Sequence, residues 1–405
     1  MRSKSVKFLR MGCSILVLCL MLSCFAGCGK AEPAETAAPA EAAASETQAA
    51  AETQAAEAGA FTVTDALGRE VTLEAVPTRV LADSPAPLRL YTYVNGMNNI
   101  IGVAEREKKS ATRRPYALAY SDIIDELPSV SGSGSNIDNF EALVVADPDV
   151  FFMGSGKETL EYDKVQEKTG IPVIVLDYGT GVVFDPKLYE SIQVIGKVMH
   201  KEERAQEVVD YMESLRMDLQ NRTADIPEDE RISAYAAGMA WSGSHGIEGT
   251  RENYPLFDVV NVRNVVTGTG STKGMVEVDK EQILKWDPEY IFLDLASIHL
   301  IQEDYNKNKA FYQSLNAFQE GKVYAQLPIV WCNVNLDTAM ADSYYVGKIC
   351  YPDRFQDVDP VEKANEIYEA LVGKPVYTQI ADYDFGGFQQ VTLEKLDANT
   401  YLKTN

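Results

Sequence analysis

The chain has 405 residues, a formal net charge of −23 and an apolar fraction of 46%. That length and apolar content exclude a mini-protein and a wholly disordered chain, and leave room for two medium-sized cores. The acidic balance argues against nucleic acid as a partner, because phosphates are repelled, and three histidines are too few for a multi-histidine metal cage.

The first segments in chain order are an address and a tether. Arg2, Lys4, Lys7 and Arg10 precede an apolar run from Met11 to Phe25, too short for a comfortable membrane span and flanked like a signal peptide. The ending Ala26-Gly27-Cys28 resembles a lipobox, so residues 1–28 are predicted to be a lipoprotein signal with Cys28 as the lipidated residue. The mature protein is then extracytoplasmic and anchored to the cell membrane through lipid alone. Residues 29–60 are rich in Ala, Glu, Thr, Pro and Gln and lack Val, Ile and Leu. Such a segment cannot bury enough apolar surface to order itself, and its glutamates repel, so a disordered acidic tether is predicted. Of six cysteines only Cys332 and Cys350 lie beyond this leader, and their spacing leaves a disulfide and two free thiols both open.

The folded part alternates strands and helices. Thr78–Ala82, Ile100–Ala104 and Pro172–Asp177 are predicted strands of a first half, and Ile232–Gly238 and Lys322–Ala325 of a second. An internal repeat ties the halves together: residues 141–152 (EALVVADPDVFF) align without a gap with residues 281–292 (EQILKWDPEYIF). Each copy predicts a short helix, an Asp-Pro break and a buried parallel strand. The loops that follow, Gly154–Gly156 and Asp294–Ser297, should lie at carboxyl strand ends, where α/β sheets bind ligands. Between the halves, residues 187–220 keep helical apolar spacing from Leu188 to Leu215 with no internal break signal, which predicts one stiff bridging helix.

The string Phe61-Thr-Val-Thr-Asp65-Ala-Leu-Gly68-Arg69, then Val76-Pro77-Thr-Arg79, Asn139-Phe-Glu141 and Gly170-Ile-Pro172, resembles the iron-chelate and cobalamin substrate-binding lipoproteins of ABC importers. The resemblance covers residues 61–373. It implies an α/β protein of two Rossmann-like lobes joined by a single long helix, with a ligand cleft between the lobes: an N-terminal lobe at 61–186, the bridge at 187–220 and a C-terminal lobe at 221–373. Residues 374–405 extend past the usual end, and Tyr377, Tyr383, Phe385 and Phe388 suggest that they pack onto something. The resemblance also implies that Glu141 and Glu281, which lead the two repeat copies, dock onto a two-fold symmetric permease.

Candidate ligand-binding residues follow the predicted strands. Arg89 lies just beyond the first strand. Arg113, Arg114 and Tyr116 form a basic, aromatic island in an acidic chain. The glycine-rich stretch 241–255 offers Trp241 and Tyr254 for stacking, Arg251 as a fork for anionic oxygen, and His245 and Glu248 as possible iron ligands. Trp331 and Asn333 are further lining candidates, while His200 reads as a surface residue. The expected cargo is an iron(III)-siderophore-type metal chelate, with a corrinoid or haem as the alternative. No cofactor of the protein's own and no catalytic residue are assigned, since no Walker loop, His-Glu-x-x-His or Cys-x-x-Cys occurs. A monomer is expected.

Overall fold

The computed structural model describes residues 59–402 except 84, 110, 132–136, 138, 157–158, 180–182, 242, 272–273 and 332. The signal segment, most of the tether, Cys28 and Cys332 lie outside the described residues. Among the described residues no helix is long and apolar enough to cross a membrane, and Cys350 is a buried free thiol.

The first lobe opens with an antiparallel hairpin of β1 (Phe61–Thr64) and β2 (Glu70–Leu73). Its turn accounts for the Asp-Ala-Leu-Gly-Arg string. Asp65 Oδ1 accepts from the Leu67 and Arg69 amides, and Gly68 takes a left-handed φ of 78°. Arg69 returns to Asp65 Oδ2 at 2.7 Å. The same carboxylate accepts from the Val175 amide at 3.1 Å, which fastens the hairpin to the adjacent sheet. That sheet holds β3 (Val80–Ala82), β4 (Val150–Gly154) and β5 (Val173–Leu176), all parallel, in the order β3-β4-β5. β3 and β5 are buried throughout, as strands covered on both faces must be. The strand expected over 100–104 is reduced to isolated bridges, Val80 to Ile100 and Val103 to Ser129. Helix α1 (Ala86–Asn95) follows β3, and α2 (Pro115–Ala119) and α3 (Phe140–Ala146) lie between it and β4.

The segment predicted as one helix over 187–220 is two. Helix α4 (Pro186–Met199) stops where His200 adopts a left-handed φ of 49°, and α5 (Glu202–Thr223) begins two residues later. The apolar spacing runs through the break because both helices bury the same stripe, and a left-handed histidine is a rare stop that sequence does not announce. His200 is exposed, its ring 4.9 Å from that of Phe61. Helix α5 alone is the long element joining the halves, about 33 Å at 1.5 Å per residue. Close packing of the pair depends on Gly196, where an added Cβ would stand 2.5 Å from Ala205 Cβ. Gly196→Leu should therefore lower the thermal unfolding midpoint, overpacking costing about 1–3 kcal/mol against a helix-propensity gain of about 1 kcal/mol. An unchanged midpoint would show that α4 and α5 move apart freely.

The second lobe is built on β6 (Ser233–Ala237), β8 (Arg263–Asn264), β10 (Tyr290–Asp294), β11 (Val323–Gln326) and β12 (Gln389–Gln390), in the order β12-β11-β10-β6-β8. All pairings are parallel except β12 on β11. A separate antiparallel ribbon of β7 (Gly249–Arg251) and β9 (Met275–Glu277) leans on the carboxyl end of β6, with Met239 N donating to Gly249 O and Thr250 Oγ1 to Ala236 O. Helices α6 (Lys280–Trp286), α7 (Ile298–Ser314), α8 (Leu336–Cys350), α9 (Pro360–Val372), α10 (Tyr377–Tyr383) and α11 (Leu393–Asp397) complete it. The tail beyond 373 is an integral part of this lobe. Phe388 stacks on Tyr345 at 4.2 Å, Gln302 Nε2 donates to Leu396 O at 2.7 Å, and Lys309 pairs with Asp397 at 2.6 Å.

The repeat is visible atom by atom. Asn139 and Asp279 each cap a seven-residue helix, α3 or α6, by accepting from the amide three residues on. Asp147 and Asp287 each end it in the left-handed conformation, and each helix buries one core residue, Leu143 or Ile283. The acid two residues later clamps the neighbouring strand: Asp149 Oδ2 accepts from Thr78 N (2.8 Å), and Glu289 Oε2 from Ser233 N (2.8 Å).

Candidate functional site

Residues that follow β3 and β5 meet the loop after β11, and Arg89 joins them. Placed in the first turn of α1, just after β3, it donates Nη1 to Val334 O (2.8 Å) and Nη2 to Asn335 Oδ1 (2.7 Å), both in the loop after β11. Nη1 also donates to Tyr178 Oη (2.8 Å), two residues beyond β5. The guanidinium is fully buried, with the Tyr116 and Tyr178 rings at 5.3 and 5.8 Å. These bonds tie the first lobe to the second.

Arg113, from the short turn before α2, forms the second crossing. Its Nε (2.9 and 3.0 Å) and Nη2 (2.6 Å) donate to the Asp384 carboxylate, and its carbonyl accepts from Asn335 Nδ2 at 2.8 Å. The rings of Trp331 and Tyr383 lie 4.8 and 5.1 Å from the guanidinium. Its Nη1 makes no hydrogen bond among the described residues, and the buried Trp331 Nε1 beside it has no acceptor either.

Arg251, at the end of β7, is a buried cation with no hydrogen bond or ion pair from its side chain among the described residues. Burial holds its acidity above the ordinary guanidinium range, that is, its pKa is lowered. Through Tyr254 it adjoins a buried acidic pair, Asp294 at the end of β10 and Asp342 on α8. Burial pushes the Asp294 carboxyl up to about 7, although the Ala296 amide and Arg113 pull the other way. Asp342 is raised well above the carboxylate range by burial and then by Asp294. Neither Asp342 oxygen meets hydrogen-bond geometry, the Leu327 amide being its one electrostatic support.

The other predicted site residues serve the protein's own structure. Arg114 pairs with Glu107 at 2.7 Å, both side chains fully buried, and Tyr116 donates its hydroxyl to the same carboxylate at 2.9 Å. The basic, aromatic island is therefore split: Arg113 meets the second lobe, while Arg114 and Tyr116 are interior to the first. Trp241 stacks on His245 at 3.7 Å. His245 engages Glu277 through Nδ1 (2.7 Å) and the Trp241 carbonyl through Nε2 (3.0 Å), so both ring nitrogens expected to serve iron are occupied. Glu248 holds Lys280, which also reaches Asp304 at 3.1 Å. Among the described residues no group of three or more His, Cys, Asp or Glu is arranged to hold a metal ion. Tyr254 offers no stacking face, being fully buried with its hydroxyl on Gln326 Nε2. Asn333 is exposed and shapes its own turn with φ 86°, its Oδ1 accepting from Val334 N. Glu141 and Glu281 are both exposed.

Asp384 and Asp342 escape sequence reasoning, while the Asp294 loop was expected at a ligand-facing strand end. Asn335 stands in the same Asn-Val-Asn string as Asn333, and a polar run directly after a buried strand was its one signal. Asp384 gives none, because its partner is 271 residues away.

Residues 102–327, more than half of the chain, match the family model described as periplasmic binding protein. The chain belongs to that family. This periplasmic binding protein is 24% identical over 328 residues to the molybdate-binding protein MolA of Haemophilus influenzae, across 76% of its own length and 89% of that protein. It is 22% identical over 231 residues to the uncharacterized ABC transporter substrate-binding lipoprotein YvrC of Bacillus subtilis, across 57% of its length and 68% of that protein. A periplasmic solute binding protein of Veillonella parvula shares its fold with a TM-score of 0.65 at 20% identity, over 80% of this chain and 96% of that one. The fold is thus the two-lobed α/β architecture of these structures, and the protein is a solute-binding protein of an ABC transporter. At the family level such proteins bind and deliver rather than catalyse.

Proposed function

We propose that this binding protein captures an anionic, oxygen-donor metal species, an iron(III)-siderophore-type chelate, at the junction of its lobes and delivers it to its permease. The observation that carries this is Arg251, a buried guanidinium whose side chain makes no hydrogen bond or ion pair among the described residues, Asp258 acting on it only electrostatically. Beside it stand the buried Trp331 Nε1, without an acceptor there, and Arg113, bound to Asp384 through Nε and Nη2 alone. A buried cation of this kind is costly unless an anion completes it. The kinship with MolA supports a second cargo of the same charge, a compact oxyanion such as molybdate. The corrinoid and haem alternative relied on a stacking pair that loses Tyr254 to the core. Lipidation at Cys28 would hold the protein at the outer face of the membrane. Exposed Glu141 and Glu281, at the head of helices with the same cap and the same buried residue, suit a permease with two equivalent basic surfaces.

Calorimetric titration with an iron(III) tris-catecholate, molybdate and a cobamide tests this. An anionic probe should bind, and Arg251→Gln should weaken it about 10- to 100-fold, as expected for a charge-assisted hydrogen bond of about 1.5–3 kcal/mol. The same variant should melt no lower than the parent, because it removes an uncompensated buried charge. Tight binding of the cobamide alone, untouched by Arg251→Gln, would overturn the proposal.

A further inference from the structure

From the Arg113–Asp384 crossing we infer that Asp384, in the C-terminal segment, is a positioning residue for ligand capture, fixing the Arg113 guanidinium so that its Nη1 is presented to the junction between the lobes. The inference rests on the anionic-cargo reading above. A free arginine side chain carries roughly 2 kcal/mol of rotamer entropy that a ligand must overcome. Here that freedom is already gone. Asp384 takes the Nε–Nη2 edge in a bidentate grip at 2.6–3.0 Å, and the Trp331 and Tyr383 rings lie against the guanidinium. What remains is Nη1. The Arg113–Asp384 pair is neutral as a whole, so the net attraction for an anion comes from Arg251, and Arg113 adds one directed N–H donor.

The two partners belong to different lobes. Arg113 precedes α2 of the first lobe, whereas Asp384 directly follows α10 and is held to the second lobe by β12 on β11 and by α11 on α7. Nη1 is presented only while the lobes keep this arrangement. Ligand affinity is thereby tied to the lobe arrangement through a segment that lies wholly beyond residue 327, where the family match ends.

The test uses the mature protein with Asp384→Asn and Asp384→Glu, titrated with molybdate and with an iron(III) tris-catecholate. Asp384→Asn should weaken the probe that the parent binds by tenfold or more, and Asp384→Glu, which keeps the charge, should recover part of that loss. In parallel, the Arg113 Nε–H resonance should be protected from exchange in the parent, and lost in Asp384→Asn. A folded Asp384→Asn variant that binds the probe within twofold of the parent overturns the role of Asp384 and leaves the anionic cargo standing. A parent that takes neither probe overturns both.

Discussion

Arg89→Ala is expected to lower the unfolding free energy by about 3–5 kcal/mol, from the loss of several buried hydrogen bonds donated by a charged group and the cavity left behind. The substitution deletes a fully buried guanidinium and leaves Asn335 Oδ1 without its donor and Val334 O with one fewer. It also empties the volume between the Tyr116 and Tyr178 rings. At roughly 2–4 °C per kcal/mol for chains of 150–250 residues, the melting temperature should fall on the order of 10 °C. Because these bonds run from the first lobe to the second, small-angle scattering should show a larger radius of gyration as well. A loss below about 1 kcal/mol with unchanged scattering would mean that the other contacts between the lobes suffice to hold them.

The acidic pair behind Tyr254 should give the protein an unusual pH dependence. Asp294 is held up to about 7 and Asp342 well above the ordinary carboxylate range, each chiefly by burial, so the folded state keeps protons that the unfolded chain releases near pH 4. Where the native state binds more protons than the unfolded state, stability declines as pH rises, by about 1.4 kcal/mol per pH unit for each proton retained. The decline should run from about pH 4 up through neutrality. Asp342→Asn cannot ionise and removes the repulsion on Asp294. It should raise the stability at pH 8 by about 1–3 kcal/mol, comparable to relieving one unsatisfied buried group, and change little at pH 4. Urea midpoints measured across this range check both statements. A flat parent profile with a neutral substitution would mean that the two carboxyls are solvated in solution.

The lobes were legible in the sequence because the features that specify them are local. A cap, a left-handed aspartate, a proline and a clamping acid recur within twelve residues in each half, and each acts on its near neighbours. The hairpin turn is equally local, since Asp65, Gly68 and Arg69 satisfy one another. The break at His200 was not, because apolar spacing reports which face is buried and not whether the axis continues. Site residues divide along the same line. Sequence identified the arginines, whose charge stands out in an acidic chain. It could not show that Arg114 is neutralised by Glu107 within the first lobe while Arg113 reaches across to Asp384. Nor could it show that Tyr254, in a stretch of small polar residues, is interior. Partners hundreds of residues apart leave no periodic trace.

The short strand β12 has a consequence for encounters between copies of the protein. Lying antiparallel along β11, it occupies main-chain groups that would otherwise be open to pairing with a neighbouring molecule. Copies held side by side at high local density would meet such a ribbon repeatedly. By supplying its own final strand, the polypeptide leaves an edge only two residues long on that side of the sheet, which gives a neighbouring molecule little to pair with.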